Sequence, residues 1–149
     1  MSDAAIPLDQ ERLRAMLAAI PYAAFLGVRA ELRGDELTLI LPFQHALIGN
    51  PLLPALHGGV IGAFMELAAI AQIAVTLGDA SLPKTIDIGI DYLRSGRPMD
   101  TFARARIAKL GRRVINARVE AWQQQAGEPI AALHGHFLVP AKADPEPEA

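Results

Sequence analysis

The sequence of 149 residues contains no cysteine, which excludes disulfide bonds, thiolate metal ligands and a cysteine nucleophile. Aromatic residues are scarce, at 5% of the chain, so we expect a core built mainly from alanine, leucine, isoleucine and valine. Positive charge is not in excess, because the net charge is −2, and this argues against a nucleic-acid partner. The N-terminus lacks a basic segment followed by an apolar run, so we predict no signal peptide and expect a cytoplasmic protein.

Long apolar runs are rare too, and one stretch, residues 60–77, approaches the length of a membrane span. It carries Glu66, Gln72 and Thr76 near or beyond its middle, and no positively charged flank follows it. Polar side chains at such positions are costly inside a bilayer. We therefore predict a buried central helix and no membrane partner.

The periodicity of apolar residues predicts the order of secondary structure along the chain. Helices are predicted at residues 9–20 and 58–77, with a further turn at 22–26. Strands are predicted at residues 28–33, 36–43, 85–93, 102–110, 114–123 and 129–139. The segment between the second strand and the long helix is rich in proline and glycine and is predicted to be irregular. Short connections between the last four strands predict that each pairs with the next in an antiparallel meander.

This order of elements indicates an α+β fold, a curved antiparallel β-sheet wrapped around a long central helix. We divide the chain into an N-terminal helix at residues 1–20, one domain at residues 21–140 and a disordered tail at residues 141–149. The tail is charged and rich in proline, which is typical of disordered segments.

The most informative motif is the tripeptide His57-Gly58-Gly59, with Glu66 nine positions after its histidine. A glycine pair that opens a helix leaves unhindered backbone N–H groups at the helix N-terminus, which favours negative charge there. A lone carboxylate in an apolar stretch is costly unless it is paired, hydrogen-bonded or used in chemistry. Together these features indicate a group that activates an electrophile and a group that acts as acid, base or nucleophile.

Three segments, HGGVIGAFMELA, TIDIGIDYLRSG and AKLGRRVINARVEAW, together with the preceding Asn50-Pro51 loop, resemble hotdog-fold acyl-CoA thioesterases of the phenylacetate-pathway type. The similarity covers residues 20 to 140. It implies a hotdog fold and an enzyme that hydrolyses an acyl-CoA thioester to a free acid and coenzyme A. Coenzyme A is then part of the substrate, and the resemblance implies no separate cofactor and no metal.

The resemblance also implies which residues act in catalysis. The candidates are Asn50, His57, Gly58, Gly59, Glu66 and Thr85. Glu66 matches the catalytic carboxylate of the family, and Gly58 matches the residue whose backbone N–H polarises the thioester carbonyl. Asn50 would help to place substrate or water, and Thr85, at the start of the next strand, would position the attacking water.

Two positions depart from the family pattern. Pro54 replaces a common glycine between Asn50 and the HGG motif, so we expect a different loop shape. Ile70 stands where some relatives carry a hydroxyl group.

Basic side chains suit the 3′-phosphate and pyrophosphate of coenzyme A. The candidates for this contact are Arg94, Arg112 and Arg113, the last two at a turn that matches a region near the nucleotide in related enzymes. Arginines at turns are also commonly only solvated.

The spacing within the long helix predicts an oligomer. Gly58 and Glu66 are eight residues apart, which is about 12 Å along a helix axis. A carboxylate at that distance cannot reach a thioester held at the N-terminus of its own helix, so two antiparallel helices of a dimer would have to supply the two groups. Gly59, Gly62 and Ala63 are small and are expected to leave room for a ligand or a partner backbone. The resemblance further implies a homodimer that assembles into a dimer of dimers.

Several alternatives stay open at this point. Glu66 acts either as general base or as nucleophile, and His57 either fixes its turn or touches the substrate. A hydratase or dehydratase of 3-hydroxyacyl thioesters and a non-catalytic acyl-CoA binding module are the competing functions. His134 and His136 share a strand face, where solvent exposure explains them without a metal. The acyl pocket is expected near Phe43, Phe64 and Tyr92.

Overall fold

The computed structural model describes residues 8–140, in which the helices and long strands follow the predicted order. The helices are α1 (Gln10–Ala18), α2 (Pro21–Leu26) and α3 (Gly58–Leu77). The strands are β1 (Arg29–Arg33), β2 (Glu36–Leu41), β3 (Ile48–Asn50), β4 (Ala55–Leu56), β5 (Lys84–Tyr92), β6 (Thr101–Leu110), β7 (Val114–Trp122) and β8 (Ala131–Leu138). The predicted disordered tail at residues 141–149, and the first seven residues of the predicted N-terminal helix segment, lie outside the described residues.

Six strands form one antiparallel sheet in the order β1-β2-β6-β7-β8-β5, which confirms the predicted α+β class. The predicted pairing of β5 with β6 is wrong, because β5 pairs with β8 and becomes an edge of the sheet. The connection at residues 93–100 explains the difference, since it is longer than a hairpin loop and passes across the end of the sheet. The side chain of Gln123 holds this connection through hydrogen bonds of 2.9 Å to both the N–H and the C=O of Arg97.

The two edges of the sheet differ in how they are covered. At β1, the Gln10 side chain of α1 donates to the carbonyl of Ala30 and accepts from the N–H of Leu32, both at 2.7 Å. Within residues 8–140 no strand pairs with the outer side of β5, where Ile86 is 54% exposed and Ile88 is 37% exposed. An open apolar edge strand is a template for pairing with another chain. The edge at β5 therefore favours self-association.

Helix α3 packs on one face of the sheet, mainly against β2, β6 and β7, and its bounds agree with the predicted helix. It ends at Gly78, whose φ of 64° is the left-handed conformation that glycine adopts readily at a helix C-terminus. Phe64 and Met65 are fully buried in the core between helix and sheet. The helix is long and apolar enough to cross a membrane, yet 61% of its most apolar window is buried within the fold. It is the central core helix of this protein.

The segment before α3, predicted as irregular, contains a short antiparallel ribbon formed by β3 and β4. In this ribbon Ile48 lies opposite Leu56. The N–H of Leu56 donates to the carbonyl of Gly96, and the N–H of His57 donates to the carbonyl of Leu47, both at 2.9 Å. The ribbon therefore fixes the chain immediately before the helix begins.

Candidate active site

The first turn of α3 leaves one backbone donor without a partner. His57 caps the helix, and its Nδ1 accepts a hydrogen bond of 2.9 Å from the N–H of Gly59. The carbonyl of His57 accepts from the N–H groups of Val60 and Ile61, at 3.1 and 3.3 Å. Within residues 8–140 the N–H of Gly58 meets no acceptor. This donor stands at the positive end of a helix of 20 residues and is suited to bind a polarised or negatively charged oxygen.

His57 fixes the geometry of this turn. Because its Nδ1 accepts a hydrogen bond, the neutral imidazole carries its proton on Nε2. The preceding loop presses against its backbone, since a Cβ built on Gly49 would lie 2.7 Å from the Cα of His57. Glycine at position 49 permits this close approach. The structure therefore assigns His57 the turn-fixing role, and a contact with substrate stays a prediction.

Asn50 organises the loop that approaches the N-terminus of α3. Its Oδ1 accepts a hydrogen bond of 3.0 Å from the N–H of Leu52, which is an Asx turn. Pro54, the departure from the family pattern, lies in the same turn. Leu52 and Leu53 project from the loop and are 93% and 66% exposed. The loop therefore presents apolar surface beside the candidate site, and the catalytic role of Asn50 stays a prediction.

Glu66 lies two turns further along α3, on a side of the helix that the sheet leaves partly open. Its sequence neighbours Met65 and Leu67 are buried, whereas Glu66 is half-buried. Ala63 and Ile70, three residues before and four after it, are half-buried as well. In the described part of the chain the carboxylate has no hydrogen-bond or ion-pair partner. The sequence thus located a carboxylate that the fold does not use for its own hydrogen bonding.

The two groups cannot meet within one chain. Helix α3 is continuous from Gly58 to beyond Glu66, so their backbones are about 12 Å apart along its axis. Reacting atoms must approach to about 3 to 3.5 Å. A small electrophile bound at the N–H of Gly58 is therefore out of reach of Glu66 of the same chain.

Strand β5 lies against the glycine face of α3. The hydroxyl of Tyr92 donates to the carbonyl of Gly58 at 2.7 Å. A Cβ on Gly62 would lie 2.7 Å from the Cδ1 of Ile90, and a Cβ on Gly59 would lie 2.9 Å from the ring of the capping histidine. The prediction that Gly62 leaves room for a ligand or a partner is therefore wrong, because Ile90 of the same chain fills that room, whereas Gly59 is exposed and its role stays a prediction. The alternation of polar and apolar residues along β5 predicted the strand that carries Tyr92, but nothing in the sequence indicated its hydrogen bond to the carbonyl of Gly58.

Thr85 lies near the other end of β5. Tyr92 is seven positions further along the chain, which is about 23 Å along a strand. A bulge at Ile86 follows it, because Thr85 pairs with Phe137 and Asp87 pairs with His136. One chain therefore does not bring Thr85 beside the N-terminus of α3, and its role stays a prediction.

The three candidate arginines lie at two ends of the sheet. Arg94 follows β5 at the end where α3 begins, and it forms an exposed ion pair of 3.8 Å with Glu128. It also lines a cavity of about 400 Å³ at that end. Arg112 and Arg113 are exposed in the turn that joins β6 and β7, at the opposite end. A single chain does not gather all three around one ligand.

The exposed face of β8 carries a histidine and carboxylate pair. His136 contacts Asp87 through Nδ1 at 2.8 Å and through its backbone N–H at 3.1 Å. The side-chain hydrogen bond from His136 holds the pKa of Asp87 below its ordinary value. His134 lies over Gly89, where a Cβ would be 2.6 Å from its ring. Among the described residues no cluster of three histidine or carboxylate side chains is suited to hold a metal ion.

The three aromatic side chains expected near the acyl pocket lie in different environments. Phe64 is fully buried and enclosed by the core, and Phe43 is half-buried. Tyr92 is 53% exposed and lies at the first turn of α3. Tyr92 is therefore the one of the three that borders the candidate site.

Sequence comparisons show that this chain is similar to known thioesterases. Residues 53–130, slightly more than half of the chain, match the family model of the thioesterase superfamily. The medium/long-chain acyl-CoA thioesterase YigI of Escherichia coli (strain K12) is 31% identical over 116 residues. The aligned region covers 68% of this chain and 74% of YigI.

Structural comparisons show the same architecture in solved proteins. A crystal structure of a protein from Pseudomonas aeruginosa has a TM-score of 0.77 and 33% identity, and the match covers 87% of this chain and 98% of that protein. The phenylacetic acid degradation-related protein of Ralstonia eutropha JMP134 has a TM-score of 0.71 and 24% identity, covering 85% of this chain and 98% of that protein. These likenesses confirm the hotdog fold that the sequence resemblance implied.

Proposed function

The chain belongs to the thioesterase superfamily and is a thioester hydrolase, and we propose that its substrates are acyl-coenzyme A thioesters. The likeness to YigI supports this substrate class and favours an aliphatic acyl group of medium or greater length. The proposal rests on two groups of α3 that have no hydrogen-bond partner within residues 8–140. They are the N–H of Gly58 and the carboxylate of Glu66.

In the proposed mechanism, the N–H of Gly58 binds the carbonyl oxygen of the thioester and stabilises the negative charge that develops on it. As general base, Glu66 takes a proton from a water molecule while the water oxygen bonds to the thioester carbon. The carbon–sulfur bond then breaks, and the leaving thiolate takes that proton. As nucleophile, Glu66 instead bonds to the thioester carbon, expels the thiolate, and the resulting anhydride is hydrolysed by water.

The proposed site needs two copies of the chain. The open edge of β5 and the half-buried stripe of α3 around Glu66 favour pairing with a second copy about a two-fold axis. Antiparallel pairing of two β5 strands would bring the Thr85 end of one chain beside the Tyr92 end of the other. Glu66 and Thr85 of one chain would then face Gly58 of the partner subunit. Assembly into a dimer of dimers and a cytoplasmic location stay predictions.

The same arrangement suggests how the nucleotide is held. Arg112 and Arg113, which lie far from Gly58 in their own chain, would lie at the same end of the dimer as Gly58 of the partner subunit. Arg94 already lies at that end in its own chain. We therefore keep all three as candidates for the phosphates of coenzyme A, with basic residues contributed by both chains.

The decisive experiment measures free thiol released from short, medium and long acyl-CoA thioesters by wild-type protein and by Glu66→Gln. Because general-base catalysis contributes about 10²- to 10⁴-fold, we expect a loss of that size in kcat. Glu120→Gln is the matched control, since Glu120 lies on the exposed face of β7 and its neighbours Val119 and Ala121 are buried. Near-normal turnover by folded Glu66→Gln would reject the assignment.

The same preparations test the alternatives. A change in enoyl absorbance without thiol release would indicate a hydratase or dehydratase. Binding of acyl-CoA without either signal would indicate a non-catalytic module. Either result would overturn hydrolysis as the reaction of this chain.

A further inference from the structure

We propose that Tyr92 is a positioning residue for thioester hydrolysis, whose hydroxyl holds the first turn of α3 so that the N–H of Gly58 stays aimed at the substrate oxygen. This inference rests on the proposed function. Its basis is the 2.7 Å hydrogen bond from the Tyr92 hydroxyl to the carbonyl of Gly58, which ties the end of β5 to the start of α3.

The hydrogen bond completes the restraint of one peptide group. The peptide that joins Gly58 and Gly59 has its carbonyl held by Tyr92 and its N–H held by Nδ1 of His57 at 2.9 Å. Hydrogen bonds in such a chain polarise and strengthen one another. The adjacent N–H, that of Gly58, is the donor left for the substrate. A glycine pair at a helix end is flexible by itself, so two side chains from different elements supply the rigidity that the backbone lacks.

The glycine face of α3 lies against the ring and hydroxyl of Tyr92. A Cβ on Gly58 would lie 3.3 Å from two ring carbons of Tyr92, and a Cβ on Gly62 would lie 3.5 Å from its hydroxyl oxygen. Gly58 and Gly62 are four residues apart and therefore lie on one face of the helix. The missing side chain at Gly58 in particular leaves the space in which the hydroxyl reaches the backbone carbonyl.

A positioning role has consequences that a substrate contact would not have. The hydroxyl of Tyr92 is directed at the protein backbone, so its loss should weaken alignment in the transition state more than it weakens binding of the substrate. Phenylalanine keeps the ring that fills the glycine face and removes only the hydroxyl. Tyr92→Phe therefore isolates the hydrogen bond.

The test compares Tyr92→Phe with Tyr22→Phe, since Tyr22 and Tyr92 are the two tyrosines of the chain. Tyr22 stacks on Phe25 and serves as the control for the loss of a half-exposed hydroxyl. For Tyr92→Phe we expect kcat to fall by about 3- to 10-fold, the range of one hydrogen bond, with KM within about 2-fold of wild type. Tyr22→Phe should change neither constant.

A second measurement separates positioning from general stability. In protein labelled with ¹⁵N-glycine, Tyr92→Phe should shift the amide proton of Gly59, because its peptide group loses the hydrogen bond at the carbonyl. The amide proton of the distant Gly127, in the turn between β7 and β8, should stay in place.

The inference is overturned by unchanged kcat, by a rise in KM alone, or by a fall in kcat without a shift of the Gly59 signal. If Glu66→Gln is inactive while Tyr92→Phe matches wild type, the positioning role fails and the proposed function stands. If the wild-type protein hydrolyses no thioester, the proposed function fails and the positioning role fails with it.

Discussion

The proposed division of the site between two chains can be tested with two variants, each of which we expect to be inactive. Glu66→Gln removes the carboxylate, and Gly58→Pro removes the backbone N–H. Proline is well tolerated at the first position of a helix, which Gly58 occupies. The preceding residue, His57, has φ −63° and ψ 128°, a conformation suited to a residue before proline. The main adjustment is at the ring of Tyr92, 3.3 Å from the position of the new Cβ.

The expected losses follow from the roles of the two groups. Loss of one oxyanion donor costs about 10²- to 10³-fold in kcat, and loss of the general base costs about 10²- to 10⁴-fold. In a dimer of one Glu66→Gln chain and one Gly58→Pro chain, one site has both native groups and the other has neither. Random mixing makes half of the dimers mixed, so about one quarter of the wild-type activity should return.

The assay is thiol release after the two variants are co-expressed with different affinity tags. Each variant alone, and a mixture of Glu66→Gln with Glu66→Ala, serve as controls that contain no native site. Purification through both tags isolates the mixed dimers, which should then show about half of the wild-type activity. Mixed dimers without activity above that of the single variants would refute the division of the site, and with it the 12 Å argument drawn from the unbroken α3 helix.

Two further predictions concern the nucleotide and the acid stability of the β5 edge. Replacing Arg112 and Arg113 with alanine should raise KM for acyl-CoA by about 10-fold and leave hydrolysis of a truncated acyl thioester without the nucleotide unchanged; equal losses on both substrates would contradict a phosphate contact. Because His136 lowers the folded-state pKa of Asp87, the pair stabilises the protein above the ordinary carboxyl value of 3.8, and this stabilisation is lost as the pH falls through the folded pKa. Asp87→Asn should therefore lower the thermal midpoint near neutral pH, with a difference from wild type that shrinks below pH 3.8 in thermal scans; a constant difference across that range would contradict it.

Local signals account for the parts of the fold that the sequence predicted. The bounds of α3 follow from the motif histidine that caps it and from Gly78, which ends it in the left-handed conformation. The positions of the long strands were predicted from the alternation of apolar and polar residues and from the turn residues between them. The partner of β5 does not follow from such signals, because pairing depends on where the connection at residues 93–100 travels, and that path is set by contacts such as the one between Gln123 and Arg97.

The sequence predicted part of the candidate site. The spacing of Gly58 and Glu66 identified the two groups that the fold leaves without partners within residues 8–140, and in the proposed mechanism their distance on one helix calls for a second chain. The prediction that Gly62 leaves room for a ligand or a partner was wrong. A small residue can make room for a ligand or for a neighbouring side chain, and the sequence does not distinguish the two. Here Ile90 of the same chain occupies the space.

The position of β5 links assembly to the chemistry of the site. Its outer edge is open to a second chain, while its last residue, Tyr92, holds the peptide group beside the free N–H of Gly58. Pairing through this edge would bring Glu66 of the partner subunit toward a donor that Tyr92 has already fixed. In the proposed dimer, the donor half of each site would therefore be built within one chain, and only the acid would have to come from the other. A folded monomer would keep a rigid oxyanion donor but have no carboxylate within reach of the bound thioester.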